Sequence, residues 1–223
     1  MVYYIDVHTT DKKTIDELIA SLEPCKGVCL FIDIANSSQI KYEKGYKEWI
    51  LLLKNTFGVL QLQPKLKNNI VKFIGDAIMV FIPEEQIFSH TESIVNYSTL
   101  LEEVYATIDM LQMLHARGLY MKCKVSLHHC DQAYNITFFK NRNDYYGIDI
   151  DLAARLLQKG KENYIVLSEV FYKKVLRDLE AGNQPSDTRC LKNISPIYVE
   201  DFKGIPHSTE FRLIQTFSDS FEK

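Results

Sequence analysis

The chain has 223 residues, 46% of them hydrophobic and 25% charged, which is enough for one soluble domain with a full core. Its net charge of −3 at pH 7 excludes bulk electrostatic attraction to nucleic acid or to an anionic membrane as the basis of binding. No apolar run approaches the roughly 18 residues of a membrane span, and the start shows no secretory signal. Five cysteines without a CxxC pair predict reduced thiols in a cytoplasmic protein and argue against zinc.

Hydrophobic periodicity and capping residues predict alternating strands and helices. The predicted strands, in chain order, are a short one near the N-terminus, 27–34, 69–74, 77–82, 120–129, 134–139, 164–167 and a closing pair around Lys203-Gly204. The predicted helices are 11–22, 37–57, 91–116, 148–159 and one that follows Ser168. Thr9 or Thr10 is expected to cap the first helix, and Ser37 or Ser38 the second. A hairpin is expected through Gly75.

The order strand, helix, strand, strand, helix, strand predicts an α+β fold with a ferredoxin-like βαββαβ core, an antiparallel sheet with helices packed on it. Residues 1–24 are expected to form an N-terminal strand and helix extension. Residues 25–216 are expected to form the main domain, and 217–223 a C-terminal tail. The sequence contains no internal repeat.

Two aspartates that end short apolar strands are the most informative residues of the chain. Asp33 follows a run of Leu, Phe and Ile, and Asp76 follows Gly75, which can supply a tight turn. A carboxylate at the end of a buried strand is costly unless water, a donor or a cation meets it. Two of them favour a shared site for two divalent ions, which can activate an oxygen nucleophile and neutralise a polyphosphate leaving group. The alternative is a pair of capping or turn carboxylates.

Four short motifs carry a resemblance to a known family. They are Phe31-Ile32-Asp33-Ile34 followed by Asn36-Ser37-Ser38, Lys72-Phe73-Ile74-Gly75-Asp76, Val125-Ser126-Leu127-His128, and Asp144-Tyr145-Tyr146-Gly147 through Asp151-Leu152-Ala153-Ala154-Arg155. Over about residues 25–216 the chain resembles the class III nucleotidyl cyclases, the adenylate and guanylate cyclase family. One motif alone is weak evidence, but four in the family's order and spacing are specific.

The resemblance implies a head-to-tail homodimer with two active sites at its interface. Asp33, Asp76 and the Ile34 carbonyl of one protomer would hold two divalent cations, Mg²⁺ or Mn²⁺. Arg155 of the other protomer would stabilise the transferring phosphoryl group, and Asp151 completes the implied catalytic set. The ribose 3′-hydroxyl would attack the α-phosphorus in line, giving a 3′,5′-cyclic monophosphate and pyrophosphate.

The chain departs from the family pattern at three places. Asp151 stands where the family usually has an asparagine that donates toward the ribose, so it would accept from a ribose hydroxyl or orient Arg155. An ordinary ion pair between Asp151 and Arg155, four residues apart on a helix, is the alternative. Asn36-Ser37-Ser38 replaces a Gly-Phe-Thr segment. The late strand lacks its second triphosphate-binding lysine, so Lys203 or Arg142 is expected to substitute.

Lys72 and Asp144 fall where adenylate cyclases of the family keep the lysine and aspartate that bind the base. Lysine only donates and aspartate only accepts. This polarity fits adenine, uracil and cytosine, and it does not exclude guanine, so it does not choose the base. Tyr145 and Tyr42 would narrow the pocket toward a one-ring base, unless they are packing or surface residues. Phe31 completes the implied substrate-binding set.

As a short, divergent, free-standing domain, the chain resembles the bacterial pyrimidine cyclases of Pycsar antiphage systems, which signal infection with cyclic UMP or cyclic CMP. This resemblance implies a uridylate cyclase that converts UTP to cyclic UMP in antiviral defence. The alternatives are an adenylate cyclase, a cytidylate cyclase and a catalytically dead nucleotide-binding module. Such an enzyme would act in the cytoplasm and bind neither nucleic acid nor a membrane.

Overall fold

The computed structural model describes residues 2–9, 11–87, 96–115, 121–139 and 142–216. Its strands are β1 Tyr3–Tyr4, β2 Cys25–Ile34, β3 Ile70–Ile74, β4 Ala77–Pro83, β5 Cys123–Thr137, β6 Tyr145–Tyr146, β7 Tyr164–Ser168, β8 Tyr198–Glu200 and β9 Thr209–Gln215. Its α-helices are α1 Lys12–Ala20, α2 Ser37–Lys44, α3 Tyr46–Leu60, α4 Pro64–Asn68, α5 Glu84–Ile87, α6 Tyr97–His115, α7 Ile148–Leu157 and α8 Glu169–Glu180. A 3₁₀ turn spans Thr188–Leu191.

The strands form one sheet in the order β3-β4-β2-β5-β7-β9-β8, and β1 and β6 pair with β5. The first four strands of that order are antiparallel neighbours, as a βαββαβ core requires. Strand β7 extends the sheet by pairing parallel with β5. The β8–β9 hairpin pairs with β7 and forms the far edge of the sheet. The predicted α+β class is therefore confirmed.

Side chains of β2 alternate between two faces of the sheet. Its even-numbered residues, from Val28 to Ile34, belong to a large apolar core under α3, α6 and α8. Cys29 and Phe31 belong to a smaller cluster on the opposite face, and Asp33 shares their parity. The first face stabilises the fold, because burying each large aliphatic side chain contributes about 1.5–3 kcal/mol.

Helix α7 covers the second face. Its Ile150 and Ala153 pack into the smaller cluster with Phe31 and Phe81. Gly147 precedes the helix with a φ of +136°, and a Cβ there would lie 2.4 Å from the Gln132 carbonyl oxygen of β5. Glycine is therefore required where the start of α7 meets β5.

Four sequence expectations about elements were wrong. Neither Ser37 nor Ser38 caps α2, because Asn36 holds the N-cap position with a φ of +59° and the Ser37 hydroxyl accepts from the Trp49 Nε1 instead. Residues 123–137 form one strand rather than two, because Asp131 and Gln132 stay extended while their N–H groups donate to Asp149 of α7. The predicted helix 37–57 is broken at Gly45, whose φ of +91° ends α2 before α3 begins. Asp11, rather than Thr9, caps α1 by accepting from the Thr14 N–H.

Some sequence expectations concern residues outside the described ranges. These residues are Thr10, residues 91–95 and 116 of the predicted long helix, residue 120 of a predicted strand, and the tail 217–223. Within the described ranges, no helix is long and apolar enough to cross a membrane.

Candidate active site

The two aspartates lie at the same end of neighbouring strands. Asp33 is the penultimate residue of β2, and Asp76 occupies the turn between β3 and β4. Gly75 makes that turn with a φ of +66°, which a residue with a Cβ rarely adopts. Strands β2 and β4 pair directly, with Ile32 opposite Ile78. The ladder therefore brings the turn that carries Asp76 to the end of β2.

The electrostatics of Asp33 show that the two carboxylates interact. Burial raises the pKa of Asp33, the negative charge of Asp76 raises it further, and Lys124 opposes both. Lys124 stands directly opposite Asp33 in the β2–β5 ladder. A divalent cation would remove this repulsion, and carboxylate oxygens are ligands that Mg²⁺ and Mn²⁺ prefer. The donor set therefore fits the two ions implied by the sequence.

Lys72 and Asp144 meet, although 72 positions separate them in the chain. The Lys72 Nζ donates to Asp144 Oδ1 at 2.7 Å and to Oδ2 at 2.9 Å. Both side chains remain partly exposed. Tyr146 joins the pair, since its hydroxyl donates to Asp144 Oδ2 at 3.3 Å and its ring centroid lies 5.6 Å from the Lys72 Nζ. A lysine, an aspartate and a phenol thus form one small polar cluster beside the β3–β4 hairpin.

The three aromatic residues expected to contact substrate lie in different environments. Phe31 is buried in the cluster under α7. Tyr145 is buried there too, with its ring stacked on Phe81 at a centroid distance of 4.0 Å, and burial is the main cause that raises its pKa to about 12. Tyr42 on α2 is 92% exposed. Tyr145 therefore supports the wall of the site, and Tyr146 is the phenol at the Lys72–Asp144 pair.

Helix α7 presents Asp151 and Arg155 on its exposed side. Among the ion pairs of residues 142–216, none joins these two side chains. The simple surface ion pair considered from the sequence is therefore absent. Within the part of the chain that the structure describes, Arg155 has no ion-pair partner, which leaves it able to meet a group outside its own helix.

The two basic residues proposed for the triphosphate are both exposed. Lys203 lies in the turn between β8 and β9, beside Gly204 with its φ of +87°. The Arg142 guanidinium lies 5.7 Å from the Phe139 ring centroid. Their contribution to phosphate binding stays a prediction.

Lys124 and Tyr146 are the site residues that sequence reasoning missed. Lys124 directly precedes the Val125-Ser126-Leu127-His128 motif. Strand alternation predicts that it faces the same side of the sheet as Ser126. Its pairing with Asp33 required the register of β2 against β5. Tyr146 had a weaker signal, because adjacent tyrosines on a strand face opposite sides and the sequence does not say which side is buried.

Comparisons with known proteins identify the family and the fold of the chain. The family model described as "Adenylate and Guanylate cyclase catalytic domain" matches residues 22–195. No curated protein matches the chain. Solved structures similar to the chain include the guanylyl cyclase Cya2, at 13% identity over 90% of this chain and 97% of that one, with a TM-score of 0.64.

Two further solved structures have the same fold. The adenylyl cyclase CyaB from P. aeruginosa is 19% identical over 86% of this chain and 95% of its own, with a TM-score of 0.56. The guanylate cyclase domain of RhGC from Catenaria anguillulae, in complex with GTP, is 16% identical over 85% of this chain and 95% of its own, with a TM-score of 0.57.

Proposed function

The chain belongs to the adenylate and guanylate cyclase catalytic domain family, and we propose that it converts UTP to 3′,5′-cyclic UMP and pyrophosphate. Family membership supports the nucleotide cyclase reaction. In that reaction the ribose 3′-oxygen bonds to the α-phosphorus, the bond to the bridging oxygen breaks, and pyrophosphate leaves. The hydroxyl proton passes to solvent.

Asp33, Asp76 and the Ile34 carbonyl are proposed to hold two divalent cations. Their fit rests on the raised pKa of Asp33, which comes from burial and then from the charge of Asp76. The bound ions would lower the pKa of the 3′-hydroxyl and neutralise the β- and γ-phosphates. The chain's own contribution is to hold these three oxygen donors together at the end of β2 before substrate arrives.

The proposed choice of uracil rests on one observation, the Lys72–Asp144 pair with the Tyr146 hydroxyl on it. Lys72 would donate to the O4 carbonyl of uracil, and Asp144 would accept from its N3–H. We propose that the Tyr146 phenol beside the pair limits the pocket to a one-ring base. Adenine meets the same donor and acceptor polarity, which makes ATP the second candidate and CTP the third.

Incubating the purified protein separately with each of the four ribonucleoside triphosphates, with Mg²⁺ or Mn²⁺, tests the proposal. We expect cyclic UMP from UTP at a higher rate than any other product. Cyclic AMP as the only product would make the protein an adenylate cyclase instead. Nucleotide binding without turnover of any triphosphate would make it a catalytically dead binding module.

The Asp144→Asn variant tests which residues choose the base. Asparagine keeps the shape of the side chain but adds donors. We expect at least about a tenfold loss of preference for UTP over the other triphosphates, because a site built to accept a hydrogen bond discriminates strongly. The exposed Asp16→Ala on α1 is the matched control. Unchanged preference in Asp144→Asn would remove this residue from base recognition.

We further propose a head-to-tail homodimer, in which Asp151 and Arg155 of the partner subunit complete each site. The support is that both side chains are exposed on α7 and have no ion pair with each other. Mixing the impaired variants Asp76→Ala and Arg155→Ala tests this arrangement. A shared site predicts recovered activity in the mixture, because a mixed dimer contains one intact site. No recovery, despite exchange of subunits, would place the whole site in one protomer.

The proposed biological role is synthesis of a second messenger in bacterial antiphage defence, in the cytoplasm. Cells that carry the parent chain and its effector should accumulate cyclic UMP after infection and form fewer plaques than cells with Asp76→Ala. Equal plaque numbers, with product made only by the parent, would separate the enzyme from this role.

A further inference from the structure

A second group of potential metal ligands lies between β5 and the first turn of α7. It consists of His128, Cys130 and Asp149, and their donor atoms all lie within 4.8 Å of one another. His128 and Cys130 are two apart on one strand and so project from the same face. Asp149 approaches from the helix. The group contains a thiol and an imidazole, unlike the all-oxygen set of Asp33 and Asp76.

The buried imidazole of His128 is the feature that points to a bound ligand. The residue is only 3% exposed, and neither ring nitrogen has a hydrogen-bond partner among the described residues. The Asp149 Oδ1 lies 3.5 Å from the His128 Nε2, which is within ion-pair distance but long for a hydrogen bond. Buried polar groups are normally satisfied, so this imidazole indicates a partner that binds between it and the carboxylate.

Two backbone hydrogen bonds hold the Asp149 carboxylate in place, as is common for carboxylates that bind metal ions. Its Oδ2 accepts from the backbone N–H groups of Asp131 and Gln132, each at 2.8 Å. These two bonds fix the carboxylate and leave Oδ1 facing His128. Such support orients metal ligands and raises affinity for the ion.

The Cys130 thiol completes the donor set. Cys130 is fully buried, its sulfur lies 3.9 Å from the His128 carbonyl oxygen, and the Cys29 thiol is its neighbour. Cys29, also fully buried, stands directly opposite His128 in the β2–β5 ladder. Opposite residues project from the same face, so Cys29 lies beside the group, while the donor atoms within 4.8 Å of one another belong to His128, Cys130 and Asp149.

We propose that His128, Cys130 and Asp149 bind one Zn²⁺ ion, with a water as the fourth ligand. Mixed sulfur, nitrogen and carboxylate donors suit zinc and do not suit Mg²⁺. Binding displaces the Cys130 thiol proton to solvent. A cavity of about 360 Å³, lined by His128, Asp149, Lys173 and His207 among others, provides the entry path. The ion joins β5 to the helix that carries Asp151 and Arg155.

Zinc binding by the full chain tests the proposal independently of nucleotide cyclisation. The protein is stripped with a chelator, supplied with Zn²⁺ in the presence of excess Mg²⁺ to occupy the oxygen site, desalted, and analysed for bound zinc. We expect one zinc per chain. Replacing Zn²⁺ with Co²⁺ should give a thiolate-to-cobalt charge-transfer absorption, which an all-oxygen site cannot produce.

Variants of the ligands should weaken zinc binding by at least about 10–100-fold. Asp149→Asn is the primary variant, because asparagine can still accept from the Asp131 and Gln132 N–H groups and keep the helix start in place. Cys130→Ser tests the thiol, and Cys190→Ser, a buried thiol in the other core, is the matched control. Circular dichroism of the metal-free variants checks that each is folded. Absence of bound zinc in the parent, equal zinc binding in parent and Asp149→Asn, or cobalt binding without the thiolate absorption would overturn the proposal.

Discussion

The two faces of the central sheet differ in what their side chains do. One face, covered by α3, α6 and α8, carries a continuous apolar core. The other, under α7, carries a small apolar cluster surrounded by the Asp33–Asp76 carboxylates, the Lys72–Asp144 pair and the His128–Asp149 contact. Both faces are built from the same strands, because successive residues alternate between them.

The comparison shows that residues that stabilise the fold and residues of the candidate site alternate along the same strands, rather than lying in separate domains. On β2, Leu30 belongs to the core face, and the odd-numbered Asp33 is half-buried beside another carboxylate. The core face can therefore stabilise the strand while the opposite face holds groups whose burial is costly. Substitutions on the two faces should affect different quantities.

The largest expected effect is on activity, from Asp76→Ala. We expect cyclase activity to fall by at least about 10³-fold, because loss of a cation ligand removes several kcal/mol of charge stabilisation. Thermal unfolding should change little, since Asp76 lies in a hairpin turn outside the apolar clusters. Steady-state kinetics and calorimetry on the variant, with Asp16→Ala as control, check both halves. A large loss of stability together with activity would break the comparison between the faces.

Arg155→Ala should have the next largest effect. We expect kcat to fall by about 10²–10³-fold, as for other groups that stabilise charge in the transition state, with KM nearly unchanged. The exposed Lys203→Ala should instead raise KM if this lysine binds the triphosphate. Measuring kcat and KM separately for both variants decides the roles. A rise in KM alone for Arg155→Ala would make it a ground-state binding residue.

Leu100→Ala on α6 should lower stability and leave activity unchanged. Leu100 is fully buried in the core face, so we expect the free energy of unfolding to fall by about 2–5 kcal/mol. Activity per folded molecule should stay the same. Denaturant unfolding and an activity assay at low temperature test this, with the volume-conserving Leu100→Met as control. Loss of activity without loss of stability would show that the core face also shapes the site.

Much of this division is predictable from sequence where local pattern decides it. The end of β2, the Gly75 turn and the helix that begins after Ser168 follow from apolar runs, a glycine and a cap. The apolar pattern of residues 37–57 also predicts a helix, but it does not reveal that Gly45 breaks it. Helix periodicity carries no information about a single residue with positive φ.

Contacts between distant segments were harder to predict. The resemblance predicts Lys72 and Asp144 as base-binding residues, but it does not predict that they pair with each other. The contact with Tyr146 depends on which of two adjacent tyrosines is buried, and the sequence does not say which. His128, Cys130 and Asp149 show no metal-binding spacing, because the strand register and the start of α7 bring them together. Such sites need three-dimensional placement, since spacing along the chain reports only ligands held by one local element.

The smallest expected effect is a gain in stability from Asp33→Asn in the metal-free protein. Burial and the charge of Asp76 raise the pKa of Asp33 above 3.8, so the folded state holds this proton more tightly than the unfolded state. The contribution of Asp33 to stability is therefore present at low pH and is lost as pH rises through its folded pKa. Asparagine removes this loss, and the melting temperature of the variant should exceed that of the parent most clearly at neutral pH.

Adding Mg²⁺ or Mn²⁺ should raise the melting temperature of the parent more than that of the variant, because a bound cation offsets the repulsion that the substitution has already removed. Equal melting temperatures across the pH range would mean that the two carboxylates do not oppose each other, and the shared cation site would lose its physical basis.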